Sequence, residues 1–85
     1  AGSVFANPSN DSAGRLIESV GLKGHRLGTA EVSTKHANFI QADPQGRADD
    51  IYALMQLVQK NVLEETGVAL QAETVMVGFA DEHGG

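Results

Sequence analysis

Glu73 shares strand parity with Val75, Val77 and Phe79 in a segment, Val68 to Phe79, that reads as extended. Alternation along a strand then puts its carboxylate on the apolar face, and a carboxylate in such surroundings tends to be functional or paired. At the other end of the chain, Ser12-Ala13-Gly14 opens a short helix whose first backbone N–H groups have no intrahelical partner and suit an anion. Lys23 adds a cation just beyond that helix. His25, His36 and His83 are scattered, with no acidic cluster at ligand spacing, so no metal site is expected. The chain has no cysteine, which excludes disulfides, thiolate metal sites and cysteine nucleophiles together.

These groups need a scaffold, and 85 residues with 41% hydrophobic content can build one small domain with a modest core. A net charge of -5 argues against nonspecific nucleic-acid binding, and the four widely spaced aromatics offer no stacking platform. No apolar run approaches the ~20 residues that cross a bilayer. Cysteine-free composition fits a reducing, cytoplasmic-type setting. The chain begins without methionine on what reads as working sequence, which suggests a piece of something longer.

The element order reads helix, strands, helix, strand. Asp11 or Ser12 caps a first helix carrying Leu16, Ile17 and Val20, and Gly21 ends it. Residues 24–42 read as one or two strands, with β-branched Val32, Thr34 and Ile40 beside Phe39. Asp43-Pro44-Gln45-Gly46 is a turn or a helix entry with Asp43 as cap and Pro44 in the first turn. From about Ala48 to Thr66, Ile51, Leu54, Met55, Val58 and Val62 recur at spacings of three and four, a long amphipathic helix ended by Gly67. Residues 81–85 read as a frayed tail. The expected class is α+β, two helices packed on one small mixed or antiparallel sheet.

Four local words go further: Ala1-Gly2-Ser3-Val4-Phe5-Ala6-Asn7-Pro8, Ser12-Ala13-Gly14-Arg15-Leu16-Ile17-Glu18, Gly21-Leu22-Lys23-Gly24, and Val32-Ser33-Thr34-Lys35-His36-Ala37-Asn38-Phe39-Ile40. In this order and spacing they resemble the C-terminal, substrate-binding domain of UDP-N-acetylenolpyruvoylglucosamine reductase, also called UDP-N-acetylmuramate dehydrogenase. The resemblance runs from Ser3 to Gly78. It implies a domain of an oxidoreductase of peptidoglycan synthesis, in which NADPH reduces FAD and hydride passes to the enolpyruvyl double bond of UDP-N-acetylglucosamine enolpyruvate. The carbon beside the hydride acceptor must then take a proton. By resemblance Ser3 is the general acid. A serine hydroxyl is a poor acid in water and becomes plausible facing an enolate in a site closed to solvent.

The resemblance also implies that Glu73 stabilises or protonates the intermediate, and that Asn7, Lys23, His36 and Arg15 serve substrate binding. Of these, Lys23 would contact the phosphates, Asn7 would hydrogen-bond substrate, His36 would lie near the nucleotide portion, and Arg15 would position its neighbours. FAD would be held by domains absent from these residues, so the chain alone is expected neither to bind FAD tightly nor to turn over. Its expected partners are the nucleotide-sugar substrate and those flavin domains, with no nucleic acid and no membrane. The chain departs from the family pattern at Ala6, where lysine is common, at Thr29 in place of a second glycine, and at Gln71, Ala72 and Val75 around Glu73. Those departures keep a rival open, a noncatalytic nucleotide-sugar-binding or packing module.

Overall fold

Apolar residues three and four apart make α2, Ala48–Thr66, an amphipathic rod, and this rod organises the fold. In the computed structural model, which describes residues 3–73, its Leu54, Met55, Val58 and Val62 are buried. They lie against the strands β2 (Arg26–Leu27), β3 (Ala30–Val32) and β4 (Ile40–Ala42), and against α1 (Ala13–Ser19). Ala30 and Val32 of β3 and Leu16 and Ile17 of α1 complete that core, with Phe5 from the first strand. Each fully buried side chain of this size contributes roughly 1.5–3 kcal/mol.

The α+β class stands, but the strands divide into two antiparallel sheets where one was expected. One sheet has the order β2-β3-β4; the other pairs β1 (Phe5–Ala6) with β5 (Gln71–Ala72). In the latter, Phe5 faces Ala72 and Ala6 faces Gln71. No strand is expected at residues 5–6 from the sequence, since two residues carry no period. Of the extended segment expected from Val68 to Phe79, Gln71 and Ala72 pair as β5, and residues 74–85 lie outside the described residues. So do the parity argument through Val75, Val77 and Phe79 and the expected tail. Ala72, one of the departures around Glu73, keeps a backbone N–H in a two-residue strand. Gln71 and Ala72 are both exposed, so their side chains are free to vary while the ladder persists.

Helix boundaries follow the expected chemistry at three of four ends. Ser12 caps α1, its hydroxyl accepting from the Arg15 N–H at 3.2 Å. Gly21, at φ +78°, closes α1 while Gly21 N–H donates to Glu18 and Leu22 N–H to Ile17. Gly67, at φ +80°, donates to Leu63 and ends α2.

At the fourth end the turn reading of Asp43-Pro44-Gln45-Gly46 holds and the helix-entry reading does not. Asp43 does not cap α2 and Pro44 does not lie in its first turn: Gly46 N–H closes a turn onto the Asp43 carbonyl at 2.7 Å, and Arg47 stands at the N-cap without a side-chain cap bond. Thr29 supplies what Asp43 does not. Its hydroxyl accepts from Arg47 N–H at 2.9 Å and donates to the Asp50 carboxylate at 2.7 Å, while its own N–H donates to the same oxygen at 2.8 Å. These bonds hold the Asp50 carboxyl below its ordinary range. The two-residue β2–β3 loop Gly28-Thr29 is thereby pinned to the start of α2, with Gly28 at φ +58°. The threonine that departs from the family's glycine pair thus has a structural task.

Candidate functional site at the β1–β5 edge

β1 is reached from both sides. Val4 N–H donates to the Asn38 carbonyl at 2.8 Å, and the Val4 carbonyl accepts from Glu73 N–H at 2.8 Å. That second bond extends the β1–β5 pairing by one step and delivers the Glu73 side chain to Ser3. The Ser3 hydroxyl donates to Glu73 Oε1 at 2.8 Å, across 70 residues of sequence. Glu73 is exposed and Ser3 half-buried, so the pair faces outward. Phe5, 1% exposed, anchors the strand in the core behind it.

Asn38 was not singled out by sequence reasoning. Its side-chain amide pairs with one residue twice: Phe5 N–H donates to Asn38 Oδ1 at 3.0 Å, and Asn38 Nδ2 donates to the Phe5 carbonyl at 2.8 Å. The turn carrying it closes through Phe39 N–H on the His36 carbonyl at 2.9 Å. The available signal was an asparagine beside a short apolar run, which is common and unspecific.

Asn7 leaves β1 and turns toward α1, where its Oδ1 accepts from Ala13 N–H at 2.9 Å. One of the helix's initial donors, offered by the sequence to an anion, is therefore occupied, and Ser12 occupies another. Arg15 is paired as well. Its guanidinium donates to the Asp11 carboxylate through Nε and Nη2. The arginine and then the Ser12 N–H bring the Asp11 carboxyl down to about 2, and the same contact raises the arginine. The pairing leaves the arginine's charge partly neutralised.

Lys23 lies beyond the far end of α1, about 10 Å from the Arg15 end by helical rise, and is 3.8 Å from Glu18 Oε1. Its loop meets the β3 side: Gly24 N–H donates to Val32 at 3.0 Å, and Thr34 Cγ2 packs near Gly24. His36 is exposed in the following turn, its ring 5.5 Å from that of Phe39 and tilted 48°. Both His36 N–H and Lys35 N–H donate to the buried Ser33 hydroxyl. The fold thus joins Ser3, Glu73 and, through β1, Asn7; the Lys23 loop meets Thr34 beyond the C-terminal end of α1, and the His36 turn runs on to Asn38, which lies against Gly14 and β1.

A shallow depression of about 430 Å³ lies elsewhere, between Leu27 and the α2 residues Ala53, Gln56, Leu57, Lys60, Asn61 and Glu64. None of the expected site residues lines it. Among the described residues no group of three His, Cys, Asp or Glu side chains could hold a metal, and no helix is long and apolar enough to cross a membrane.

Comparison with known proteins identifies the domain's relatives. The sequence profile of UDP-N-acetylenolpyruvoylglucosamine reductase, C-terminal domain, matches residues 1–77. A reductase of that name from Synechococcus sp. (strain WH7803) is 54% identical over 78 residues, covering 92% of this chain and 25% of its own length. The one from Chloroflexus aurantiacus is 53% identical over 76 residues, 89% of this chain and 26% of its own. The crystal structure of the reductase from Thermus caldophilus superposes with a TM-score of 0.68 at 44% identity, over 85% of this chain and 26% of that one. The chain therefore spans about a quarter of the length of these relatives. It belongs to the UDP-N-acetylenolpyruvoylglucosamine reductase family and corresponds to that family's C-terminal domain.

Proposed function

We propose that this domain binds UDP-N-acetylglucosamine enolpyruvate and supplies the proton for its reduction to UDP-N-acetylmuramate, within a cytoplasmic NADPH- and FAD-dependent enzyme of peptidoglycan synthesis. The observation that carries the reading is the 2.8 Å bond from the Ser3 hydroxyl to Glu73 Oε1. Two chain-distant groups, each expected at the reacting centre from family resemblance, meet on one edge.

FAD, when bound, supplies hydride to the enolpyruvyl double bond, and domains outside these 85 residues would hold it. The residues here are proposed to handle the proton and the substrate's orientation. Glu73 holds the Ser3 rotor in one direction. When substrate occupies the edge, the hydroxyl turns to the carbanionic carbon and releases its proton there, and the serine oxygen takes a proton back from solvent after product leaves. The exposure of the pair in this chain suits an edge that a neighbouring domain closes, because proton donation from serine needs water excluded. Lys23 and His36 are proposed to meet the diphosphate and nucleotide portions, and Asn7 to contact substrate through the amide nitrogen that its helix-capping oxygen leaves outward. Arg15 is proposed to act indirectly, by fixing the entrance to α1.

The test is Ser3→Ala in the full-length enzyme, with the two half-reactions followed separately by flavin absorbance. Reduction by NADPH should be nearly unchanged, and reoxidation by substrate should slow about 10²–10⁴-fold, the range of general acid catalysis. Equal rates in both half-reactions would remove Ser3 from the mechanism.

A further inference from the structure

We propose that Asn38 is the positioning residue for proton delivery, holding the Ser3 hydroxyl opposite Glu73 through its paired contacts with Val4 and Phe5. The inference rests on the reading of Ser3 as proton donor.

A primary amide presents a donor and an acceptor side by side, which complements the N–H and C=O that a single extended residue points to one side. Asn38 uses both on a single residue, giving Phe5 N–H an acceptor at 3.0 Å and the Phe5 carbonyl a donor at 2.8 Å. Its backbone carbonyl takes Val4 N–H at 2.8 Å. Three hydrogen bonds therefore run from one residue to the two positions that follow Ser3. Val4 is the hinge of the arrangement, since its N–H is committed to Asn38 and its carbonyl to Glu73 N–H. The mutual placement of Ser3 and Glu73 is thus set across a single residue, Val4, by Asn38.

Asn38 is itself held. Ala37 before it is buried, and α1 packs over it, with the space above Gly14 ending 3.8 Å away on Asn38 Cβ and N. β1 and β5 are too short to fix a register alone, having two residues each, so the side-chain pairing supplies the direction that a longer ladder would give. Aspartate in this place keeps the shape and the acceptor but sets a carboxylate oxygen against the Phe5 carbonyl. The expected result is a displaced β1 in a folded protein.

The experiment uses the full-length enzyme with Asn38→Asp and Asn38→Ala, each alone and combined with Ser3→Ala. Asn38→Asp should slow flavin reoxidation at saturating substrate about tenfold or more, because misplacement of a reacting group by about 1 Å costs up to 10²-fold. Flavin reduction by NADPH and the substrate dissociation constant should stay within about twofold, a split that loss of folded protein does not produce. In the Ser3→Ala background the same substitution should add less than about twofold, since residues acting through one group are not additive. A full tenfold loss in that background, or a rise in the dissociation constant without a fall in the saturated rate, would overturn the assignment of Asn38 while leaving Ser3 in place. Unchanged reoxidation in Ser3→Ala alone would remove the underlying reading, and this inference with it. Should Asn38→Ala not fold, the isosteric aspartate variant and its double mutant decide.

Discussion

Two regions of this small domain are held by different forces. The body, α2 over β2-β3-β4, is fixed by burial: Leu54, Val58, Val62 and Val32 are each 0% exposed. The β1–β5 edge is anchored in the core by Phe5, Val4 and Leu70, and its outward face depends on directed bonds among Ser3, Val4, Asn38 and Glu73. Burial is strong but indifferent to direction, and side chains can slide within it while the area stays covered. Hydrogen bonds contribute about 1 kcal/mol each but fall off steeply with angle. The region proposed to transfer a proton is thus held by the interactions that define direction, and the region that keeps the chain folded by those that supply free energy.

The largest expected effect separates the two. Leu54→Ala removes a fully buried side chain at the centre of the body and should destabilise the domain by about 2–5 kcal/mol, read as a lower urea midpoint. Ser3→Ala, on the edge, should move the same midpoint by less than about 1 kcal/mol while slowing reoxidation as described above. A loss of several kcal/mol in Ser3→Ala would end the distinction, because the edge would then be part of the stabilising core.

A middle-sized effect comes from the loop joining body strands to α2. An added Cβ at Gly28 would lie 2.5 Å from Asp50 Oδ2, and the backbone there is at φ +58°. Gly28→Ala should therefore lose roughly 1 kcal/mol to the left-handed backbone and about as much again from the displaced Thr29–Asp50 bonds. Gly67 supplies the control, since its φ is +80° but nothing lies within 4 Å of the added atom. Gly67→Ala should show the backbone part alone, and equal losses at both positions would mean that the Thr29–Asp50 latch adds nothing to the body.

The same division decided what could be read in the sequence. Burial leaves a periodic trace, so the spacing of Leu54, Met55, Val58 and Val62 placed α2, and Ser12, Gly21 and Gly67 marked ends through their side-chain and backbone preferences. The edge leaves no such trace. Its strands have two residues each, and the β1–β5 pairing joins positions more than 60 apart in the chain, a relation that local spacing does not encode. Ser3 and Glu73 were expected together from family resemblance, not from any pattern in the residues between them. Asn38 was passed over, and Thr29 was noted only as a departure at a turn, because asparagine and threonine in turns are ordinary and their partners lie on elements remote in sequence. Asp43-Pro44 left turn and helix entry both open because the same residues begin either, and Gly46 N–H closes the turn before α2 begins.

The smallest effect lies where the edge hands over to α1. Asp11 accepts from the Arg15 guanidinium and from Ser12 N–H, and its carboxyl is lowered from 3.8 to about 2. A carboxyl lowered in the folded state takes its proton first in the unfolded chain. Its contribution is therefore complete above about 3.8 and is lost as pH falls toward about 2. Asp11→Asn should flatten the dependence of the urea midpoint on pH within that window. At neutral pH it should change little, since the Arg15 side chain is 62% exposed and salt screens such pairs. Identical pH slopes in the native and Asp11→Asn proteins would mean the ion pair has no energetic consequence. The entrance to α1 would then rest on the Asn7 and Ser12 caps alone, and Arg15 would be left without the positioning role proposed for it.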